Sequence, residues 1–300
     1  MTIRELKRFE LEVPEEENLY SGHSACAGCG GAIALRHVLK GMGKRVVIVT
    51  CACCMGTATG TAIKVASSHG PFGSVASWAS GVKAGLEMQG DTETTVIGWA
   101  GDGGTFDIGL QPLSATAERN EAILFVCYDN EAYMMTGAQR SSATPMGAWT
   151  TTTPRIKPKF EAKKNIVEIM AAHRIPYAAK ASIGYPKDLM NKLSKAKAIK
   201  GMRFLHIIAP CPTGWRYSPD LTVRLSRLAV ESRIFPLYEV EQGLRYMVQV
   251  PPNQVPVAEY LKLQGRFSHL DEANIDILQK SVDWEWEHLL GKCESSEPLA

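Results

Sequence analysis

Two short apolar runs, separated by one stretch of helical spacing, constrain the fold of this chain most strongly. The runs cover residues 95–100 and 122–128 and do not alternate polar and apolar positions, which is typical of strands buried on both faces. The stretch between them, residues 110–118, has the spacing of a helix. This succession predicts a β-α-β unit with two parallel strands.

The same alternation extends over most of the 300 residues, a length that can bury a large core. We predict further helices at residues 32–43, 77–88, 163–173, 187–198 and 221–232, and further strands at 45–50, 177–181, 203–208 and 236–240. Residues 56–73 are predicted to be a loop closing over a ligand, and residues 141–158 a long connection. The fold class is therefore α/β, a mostly parallel sheet with helices on both faces.

Charge is unevenly distributed along the sequence. Residues 151–210 hold 13 Lys and Arg against 3 Asp and Glu, a pattern typical of a solvated face; alternatively, Lys157, Lys159 and Lys163 could attract an acidic partner. Residues 271–300 hold 2 basic against 8 acidic residues. We divide the chain into an α/β domain, residues 1–270, and an acidic C-terminal tail, residues 271–300; from Pro251 onward we expect only two short helices.

Several classes of protein are excluded by composition. A content of 45% apolar and 21% charged residues is typical of a globular protein, and no apolar run approaches the roughly 18 residues of a membrane span. Residues 1–17 are charged and lack the apolar centre of a signal peptide, and the first twenty residues have the polarity of a surface arm. No basic helix or stacking motif indicates nucleic-acid binding. We expect a cytoplasmic protein.

Polar residues follow both strands of the central unit. Gly101-Asp102-Gly103-Gly104 comes after the first strand and Asn130 after the second. Parallel strands end at the same edge of a sheet, where such folds bind ligands. A carboxylate, an amide oxygen and a carbonyl suit Mg²⁺, and the glycines allow a diphosphate to approach the backbone. Taken separately, each is also an ordinary turn or cap.

Eight cysteines form a second group of candidates. Cys26 and Cys29 are a Cys-x-x-Cys pair, and Cys54 and Cys211 lie at predicted strand ends on the same sheet edge as Asp102. Four thiolates can hold a structural zinc ion or a [4Fe-4S] cluster, and the spacing leaves both open. Weaker candidates are Cys51 and Cys53, which flank Cys54, the strand residue Cys127, and Cys293 in the acidic segment.

Five motifs across nearly the whole chain resemble one family, the β subunits of 2-oxoacid:ferredoxin oxidoreductases of the pyruvate type. They are Gly22-His23-x-Ala25-Cys26-x-Gly28-Cys29-Gly30, Gly101-Asp102-Gly103-Gly104-Thr105-Phe106-Asp107-Ile108-Gly109, Tyr128-Asp129-Asn130-Glu131-Ala132-Tyr133, Ser141-Ser142-Ala143-Thr144-Pro145 and Ala209-Pro210-Cys211-Pro212-Thr213-Gly214-Trp215. The resemblance implies a thiamine diphosphate-binding fold and oxidative decarboxylation, with electrons passed to ferredoxin.

The resemblance also implies the site residues. It implies a [4Fe-4S] cluster on Cys26, Cys29, Cys54 and Cys211, and Mg²⁺ on Asp102, the Asn130 side chain and the Ala132 carbonyl. Thiamine diphosphate would contact Gly101, Asp102, Gly103, Gly104, Asn130, Met135, Thr136 and Cys54.

Met135 and Ser74 depart from the pattern, because pyruvate-type relatives carry Asn there. A thioether cannot replace the hydrogen bonds of an amide, so pyruvate and oxalate both remain open as substrates; alternatively, Met135 only packs on the cofactor ring.

The resemblance implies partners as well. No catalytic residue is assigned within this chain, and the glutamate that activates thiamine is expected from a pyrimidine-binding α-type subunit. A ferredoxin-like subunit would carry further clusters, and coenzyme A dependence stays open. Two alternatives remain: a non-redox thiamine-dependent decarboxylase with a structural four-cysteine zinc site, and a non-catalytic scaffold subunit.

Overall fold

The computed structural model describes residues 13–296, which form one eight-stranded sheet in the order β2-β1-β3-β4-β6-β5-β7-β8. The six strands from β2 to β5 in this order are parallel, whereas β7 runs antiparallel to β5, and β8 to β7. The strands are β1 Val46–Cys51, β2 Ala66–Gly70, β3 Thr95–Gly101, β4 Ile123–Asp129, β5 Tyr177–Ser182, β6 Arg203–Ile208, β7 Tyr238–Glu241 and β8 Arg245–Val248.

Helices flank this sheet, with α1 packed on α6 and α3 on α4. The helices are α1 Gly30–Met42, α2 Cys54–Ala58, α3 Val75–Met88, α4 Leu110–Glu118, α5 Ile166–Ala172, α6 Pro186–Ala198, α7 Pro212–Trp215, α8 Thr222–Glu231, α9 Val257–Leu261 and α10 Glu272–Ser295. A five-residue π-helical turn, Gly103–Asp107, follows β3. The prediction of a mostly parallel α/β sheet is confirmed. No helix within residues 13–296 is long and apolar enough to cross a membrane.

The core lies around the central strands, as their lack of alternation predicts. Every residue of β4 and of β6 is buried. Trp99 stacks on Tyr128 with ring centroids 5.4 Å apart, and Phe125 stacks on Phe204 at 6.0 Å. Burial of each such side chain contributes about 1.5–3 kcal/mol. This rigid centre supports the two strand ends that carry Asp102 and Asn130.

The sequence prediction misses the last strand, β8, and is wrong in two further regions. Residues 56–73 include the edge strand β2, whose Ala-Ser-Ser-His-Gly sequence is polar because an edge strand need not face the core. After Pro251, α9 is followed by α10, a single helix of 24 residues instead of a tail with two short helices. Asp271 caps α10 by accepting from the Asn274 backbone N–H at 2.8 Å. The division at residue 270 stays a prediction.

Parts of both predicted terminal segments lie outside the described residues, namely residues 1–12 of the arm and 297–300 of the tail. Within the described residues 13–20, Leu19 is buried and forms a β-bridge with Ile63.

Candidate functional site

Asp102 and Asn130 meet at the carboxyl edge of the sheet. Gly101, the last residue of β3, pairs in register with Tyr128 of β4, so the residues that follow these strands are neighbours. Asp102 is 1% exposed and Asn130 is 8% exposed. The structure therefore brings together the two polar side chains that the sequence places 28 positions apart.

The Asn130 amide connects Asp102 to Ala132. One end of this amide lies 2.9 Å from Asp102 Oδ1 and 2.9 Å from the Ala132 carbonyl oxygen. If the nitrogen occupies that end, it donates a hydrogen bond to each oxygen. If the amide oxygen occupies it, three oxygens converge and a cation is needed to offset their repulsion. These are the three groups named for Mg²⁺ by the sequence resemblance.

Asp102 is a buried carboxylate with one neutral hydrogen-bond donor on its other oxygen. Ser141 Oγ donates to Asp102 Oδ2 at 2.6 Å. Burial, together with the negative charge of Asp129, raises the pKa of Asp102 well above its usual range. A bound cation would favour the ionised form, so the environment of Asp102 suits a metal ligand. Ser141 begins one of the five sequence motifs, but the sequence alone indicated no role for its hydroxyl.

Gly103 and Gly104, which follow Asp102, are buried, and aromatic rings pack closely against them. A methyl group added to Gly103 would lie 2.4 Å from the Tyr133 ring, and one added to Gly104 would lie 3.3 Å from Phe72. Tyr133 is itself fixed, because its hydroxyl donates to Asp107 Oδ2 at 3.1 Å. Only glycine fits at Gly103 without displacing Tyr133.

A buried network of ion pairs supports the Asn130 loop, residues 130–132, which follows β4. Lys163 Nζ lies 2.6 Å from Asp129 Oδ2 and 2.7 Å from Glu131 Oε1. Burial opposes the ionised form of Asp129, but the charge of Lys163 and a 2.7 Å hydrogen bond from His206 Nε2 lower its pKa. Burial lowers the pKa of His206 to about 4, so its imidazole is neutral near pH 7. Asn130 thus lies in the chain between two carboxylates that both pair with Lys163.

Arg266 completes this network. Arg266 Nη2 lies 2.6 Å from Glu131 Oε2, and its guanidinium stacks 3.8 Å from the Trp215 ring centroid. Trp215 Nε1 in turn donates to the Asn130 carbonyl oxygen at 2.7 Å. Glu131 has a φ of +66°, a conformation that costs a non-glycine residue about 1–2 kcal/mol. The ion pairs and the tryptophan hydrogen bond therefore hold the loop in a strained shape that presents Asn130.

The network overturns one interpretation of the basic segment. Lys159 is 3% exposed and donates to the carbonyl oxygens of Thr144 and Ala162. Lys163 is bound between Asp129 and Glu131. Neither lysine is free to attract a partner, whereas Lys157 is exposed. A count of charges along the chain cannot show which of them have buried counter-ions.

The four predicted cluster cysteines lie on turns near the same edge. Cys29 precedes α1 and its N–H donates to the Cys26 carbonyl oxygen at 3.1 Å, while Cys54 begins α2. Cys211 precedes α7, and its Sγ accepts from the Gly214 N–H at 3.4 Å. The Gly30 N–H donates to the Pro210 carbonyl oxygen at 3.0 Å, which joins the first cysteine turn to the last.

These thiols act on one another electrostatically. Burial, followed by the proximity of Cys211, raises the pKa of Cys54 to about 12, and Cys29 and Cys26 add to the same effect. The pKa of Cys211 is raised by burial and by Cys29 and Cys26. Within residues 13–296, no three His, Cys, Asp or Glu side chains are close enough to hold a single metal ion.

The remaining cysteines have other surroundings. A hydrogen bond from Cys51 lowers the pKa of Cys53 to about 5, and Cys53 Sγ accepts from the Gly56 N–H at 3.3 Å. Cys127 is fully buried in β4, and Cys293 is half-buried on α10. Cys54 is therefore the member of the 51–54 group that faces Cys211.

The predicted substrate-side residues are separate in the structure. Met135 is 52% exposed, and its Sδ accepts from Thr57 Oγ1 at 3.6 Å. Thr136 Oγ1 donates to Gln139 Oε1 at 2.6 Å within the same loop. Ser74 precedes α3, and its hydroxyl donates to the Pro71 carbonyl oxygen at 2.8 Å. Met135 thus lies beside the cysteine-bearing helix α2, and Ser74 beside α3.

Known proteins match the chain over most of its length. The family model of the thiamine pyrophosphate enzyme C-terminal TPP-binding domain matches residues 41–207. The ketoisovalerate oxidoreductase subunit VorB of Pyrococcus abyssi is 46% identical over 304 residues, covering 96% of this chain and 97% of the relative. The pyruvate synthase subunit PorB of Methanothermobacter marburgensis is 47% identical over 280 residues, covering 91% and 97%.

A solved structure agrees with the fold. A chain of the 2-oxoglutarate:ferredoxin oxidoreductase from Magnetococcus marinus superposes with a TM-score of 0.61 at 19% identity, covering 92% of this chain and 99% of that one. At this identity the likeness concerns the fold alone. The matched thiamine pyrophosphate domain and the relatives at 46% and 47% identity confirm the family that the motifs resemble. The chain belongs to the β subunits of the 2-oxoacid:ferredoxin oxidoreductases.

Proposed function

We propose that this β subunit carries thiamine diphosphate, Mg²⁺ and one [4Fe-4S] cluster, and that its complex oxidatively decarboxylates a small 2-oxoacid and passes the electrons to ferredoxin. The observation that carries the proposal is the meeting of Asp102, Asn130 and the Ala132 carbonyl at one point of the sheet edge. Relatives named as ketoisovalerate oxidoreductase and pyruvate synthase subunits, and the matched thiamine pyrophosphate-binding domain, support it.

The spacing of these three groups suits Mg²⁺. Octahedral Mg²⁺ holds oxygens at 2.0–2.1 Å, which places neighbouring ligands about 2.9 Å apart. The Asn130 amide lies 2.9 Å from both of the other oxygens. In this role Asp102 supplies the negative charge, and Ser141 orients it through the 2.6 Å hydrogen bond. Gly103 and Gly104, which directly follow Asp102, are the backbone positions that we assign to the diphosphate.

Cys26, Cys29, Cys54 and Cys211 are the residues we assign to the cluster. Their thiols influence one another's pKa values, and the turns that carry them are joined by the hydrogen bond from Gly30 to Pro210. When bound, thiamine diphosphate supplies a carbon nucleophile for the 2-oxoacid carbonyl, and the cluster accepts single electrons. The chain itself contributes orientation: it fixes the diphosphate end at Asp102 and places Met135 near the cysteine-bearing α2.

Partner subunits complete the proposed site. We propose that the glutamate that activates thiamine comes from a pyrimidine-binding α-type subunit and that further clusters lie in a ferredoxin-like subunit. The isolated β chain would then bind cofactor but not turn over. Turnover of a 2-oxoacid by purified β chain with a dye acceptor would contradict this division of roles. Coenzyme A dependence is measured on the assembled complex, by comparing turnover with and without the thiol.

For the substrate, we propose a 2-oxoacid with an apolar substituent in preference to oxalate. Met135, half exposed beside Thr57, is suited to a methyl or larger aliphatic group, whereas a second carboxylate would lose hydrogen bonds against a thioether. The relatives at 46% and 47% identity are named for ketoisovalerate and for pyruvate, and both acids have apolar substituents.

The test is anaerobic purification of the native complex, with iron, acid-labile sulfide, zinc and thiamine analysis. The visible spectrum is then recorded before and after addition of pyruvate, 2-oxoisovalerate or oxalate. We expect iron and sulfide, and bleaching of the cluster absorption by one of the two 2-oxoacids. Bleaching by oxalate alone would overturn the substrate proposal. A colourless protein with zinc would leave the non-redox thiamine decarboxylase.

Matched cysteine variants test the ligand assignment. Cys54→Ser should lower the iron content of the complex, whereas Cys293→Ser, on α10, should leave it unchanged. Equal iron in both variants would remove Cys54 from the ligand set. Loss of iron with intact thiamine content would separate the cluster from the thiamine site.

A further inference from the structure

A cavity of about 440 Å³ lies behind the ion network, between the sheet and α10. Its wall includes Lys180 of β5, His206 of β6 and Tyr238 of β7 on one side, and Trp284 and Leu289 of α10 on the other. The cavity is separate from the oxygens of Asp102 and Asn130, which lie on the far side of the network. Its volume is that of a small-molecule site.

Positive charge dominates the cavity wall, which holds five Lys and Arg residues against three Glu. Four of the five cations have carboxylate partners: Lys163, Lys164, Arg233 and Lys292. Within residues 13–296 the Lys180 ammonium forms no ion pair and no hydrogen bond. The side chain is partly buried, and a partly dehydrated ammonium without an acceptor is costly.

The environment of Lys180 increases that cost. Its Nζ lies 4.8 Å from the centroid of the Phe235 ring and 5.5 Å from that of Tyr238, contacts that supply only part of the lost hydration. Burial, with repulsion from Lys163, lowers the pKa of Lys180 to about 8, so it is still largely charged at pH 7. Glu285 of α10 acts on it from an exposed position but forms no ion pair with it.

Three further polar atoms on this wall are buried and lack hydrogen-bond partners within the described part of the chain. They are His206 Nδ1, Tyr238 OH and Arg233 Nε. Each unsatisfied atom costs about 1–3 kcal/mol. Because the neutral His206 donates through Nε2 to Asp129, its Nδ1 is an acceptor, whereas Tyr238 and Arg233 offer donors. An anion in the cavity would satisfy Lys180, and Tyr238, whose ring centroid lies 5.5 Å from the ammonium, is a second donor beside it.

We propose that this cavity binds a small organic anion, a carboxylate on an aliphatic chain. The carboxylate would accept from Lys180 and Tyr238, and the chain would lie among apolar side chains of α9 and α10, such as Leu261, Leu278 and Val282. This pairing of a cation with apolar walls distinguishes the site from a phosphate site. A ligand there would contact His206. The Nε2 of His206 donates to Asp129, the residue that precedes Asn130.

Calorimetric titration of the purified complex, without substrate, tests the proposal. The probe is hexanoate, with acetate lacking the chain and hexan-1-ol lacking the charge. We expect hexanoate to bind about tenfold or more tightly than either. Lys180→Met should weaken hexanoate binding about tenfold, whereas Lys187→Met, an exposed lysine on α6, should not change it. Glu285→Gln should strengthen binding, because it removes a carboxylate near Lys180.

Several results would overturn the proposal. Hexanoate that fails to saturate, or that binds the Lys180→Met complex as well as the wild type, places no carboxylate at Lys180. Equal binding of hexan-1-ol reduces the site to an apolar cavity, and tighter binding of inorganic phosphate removes the aliphatic class. Tyr238→Phe, which deletes only a hydroxyl, gives a second variant if Lys180→Met folds poorly. The titration needs no turnover, so it stands apart from the proposed reaction.

Discussion

Replacement of Arg266 by methionine should destabilise the protein and loosen the Asn130 loop. Arg266 and Glu131 are each 2% exposed, and their contact of 2.6 Å is one of two that neutralise the glutamate. In the variant, Lys163 alone would face the two buried carboxylates of Asp129 and Glu131. Removal of one partner from a buried pair costs about 3–5 kcal/mol, and because Lys163 remains we expect about 3 kcal/mol.

The double variant Glu131→Gln/Arg266→Met separates charge from packing. It removes one charge of each sign and leaves the pair of Lys163 and Asp129, so we expect a free energy of unfolding within about 1 kcal/mol of the wild type. The double variant should then be about 2 kcal/mol more stable than Arg266→Met alone. Arg45→Met is the matched control, because its ion pair with Asp91 at 3.1 Å is solvent-exposed and should contribute at most about 1 kcal/mol.

The assay is urea unfolding of the full-length chain under anaerobic conditions, followed by circular dichroism. Titration of thiamine diphosphate with Mg²⁺ into the folded variants measures the consequence for the loop. We expect Arg266→Met to weaken cofactor binding about tenfold, because the Trp215 ring that holds the Asn130 carbonyl loses its stacked guanidinium. A single variant that loses less than about 1 kcal/mol, or a double variant that is no more stable than the single one, would refute the reasoning.

Three further perturbations follow from the same geometry. Ser141→Ala removes the 2.6 Å hydrogen bond to Asp102, so Mg²⁺ binding by calorimetry should weaken by about 1.5–3 kcal/mol; unchanged affinity would mean that Asp102 needs no orientation. Gly103→Ala places a methyl group 2.4 Å from Tyr133 and should cost about 1–3 kcal/mol in urea unfolding, more than Gly104→Ala, whose nearest contact is 3.3 Å; the reverse order would contradict the packing. The pKa of His206 falls from 6.5 to about 4 on folding. Between these two pH values the unfolded chain binds a proton that the folded chain does not. The free energy of unfolding therefore decreases as the pH falls through this range, by about 3 kcal/mol in total. His206→Gln should remove that loss, measured as the difference between the unfolding curves of the two proteins at each pH; parallel curves would show that His206 is not buried in its neutral form.

Sequence alone determined the sheet and the neighbourhood of the site. Apolar runs without alternation predicted β3 and β4, and parallel strands necessarily end at one edge, so Asp102 and Asn130 were expected together. The helix predicted at residues 110–118 is α4 to the residue. Patterns failed where local periodicity is weak: the polar edge strand β2 has no apolar run, and α10 was mistaken for a tail because much of its surface is charged.

Tertiary structure alone decided what supports the site. Ser141, Lys163, His206 and Arg266 reach Asp102, Asp129 and Glu131 from 32 to 135 positions away in the chain. No local spacing indicates such pairs, because the free energy of a buried charge depends on which counter-ions the fold brings to it. For the same reason Lys159, which looked in sequence like part of a basic surface, is buried, and Lys163 pairs with two buried carboxylates. Lys180 faces a cavity that only the packing of α10 over the sheet creates.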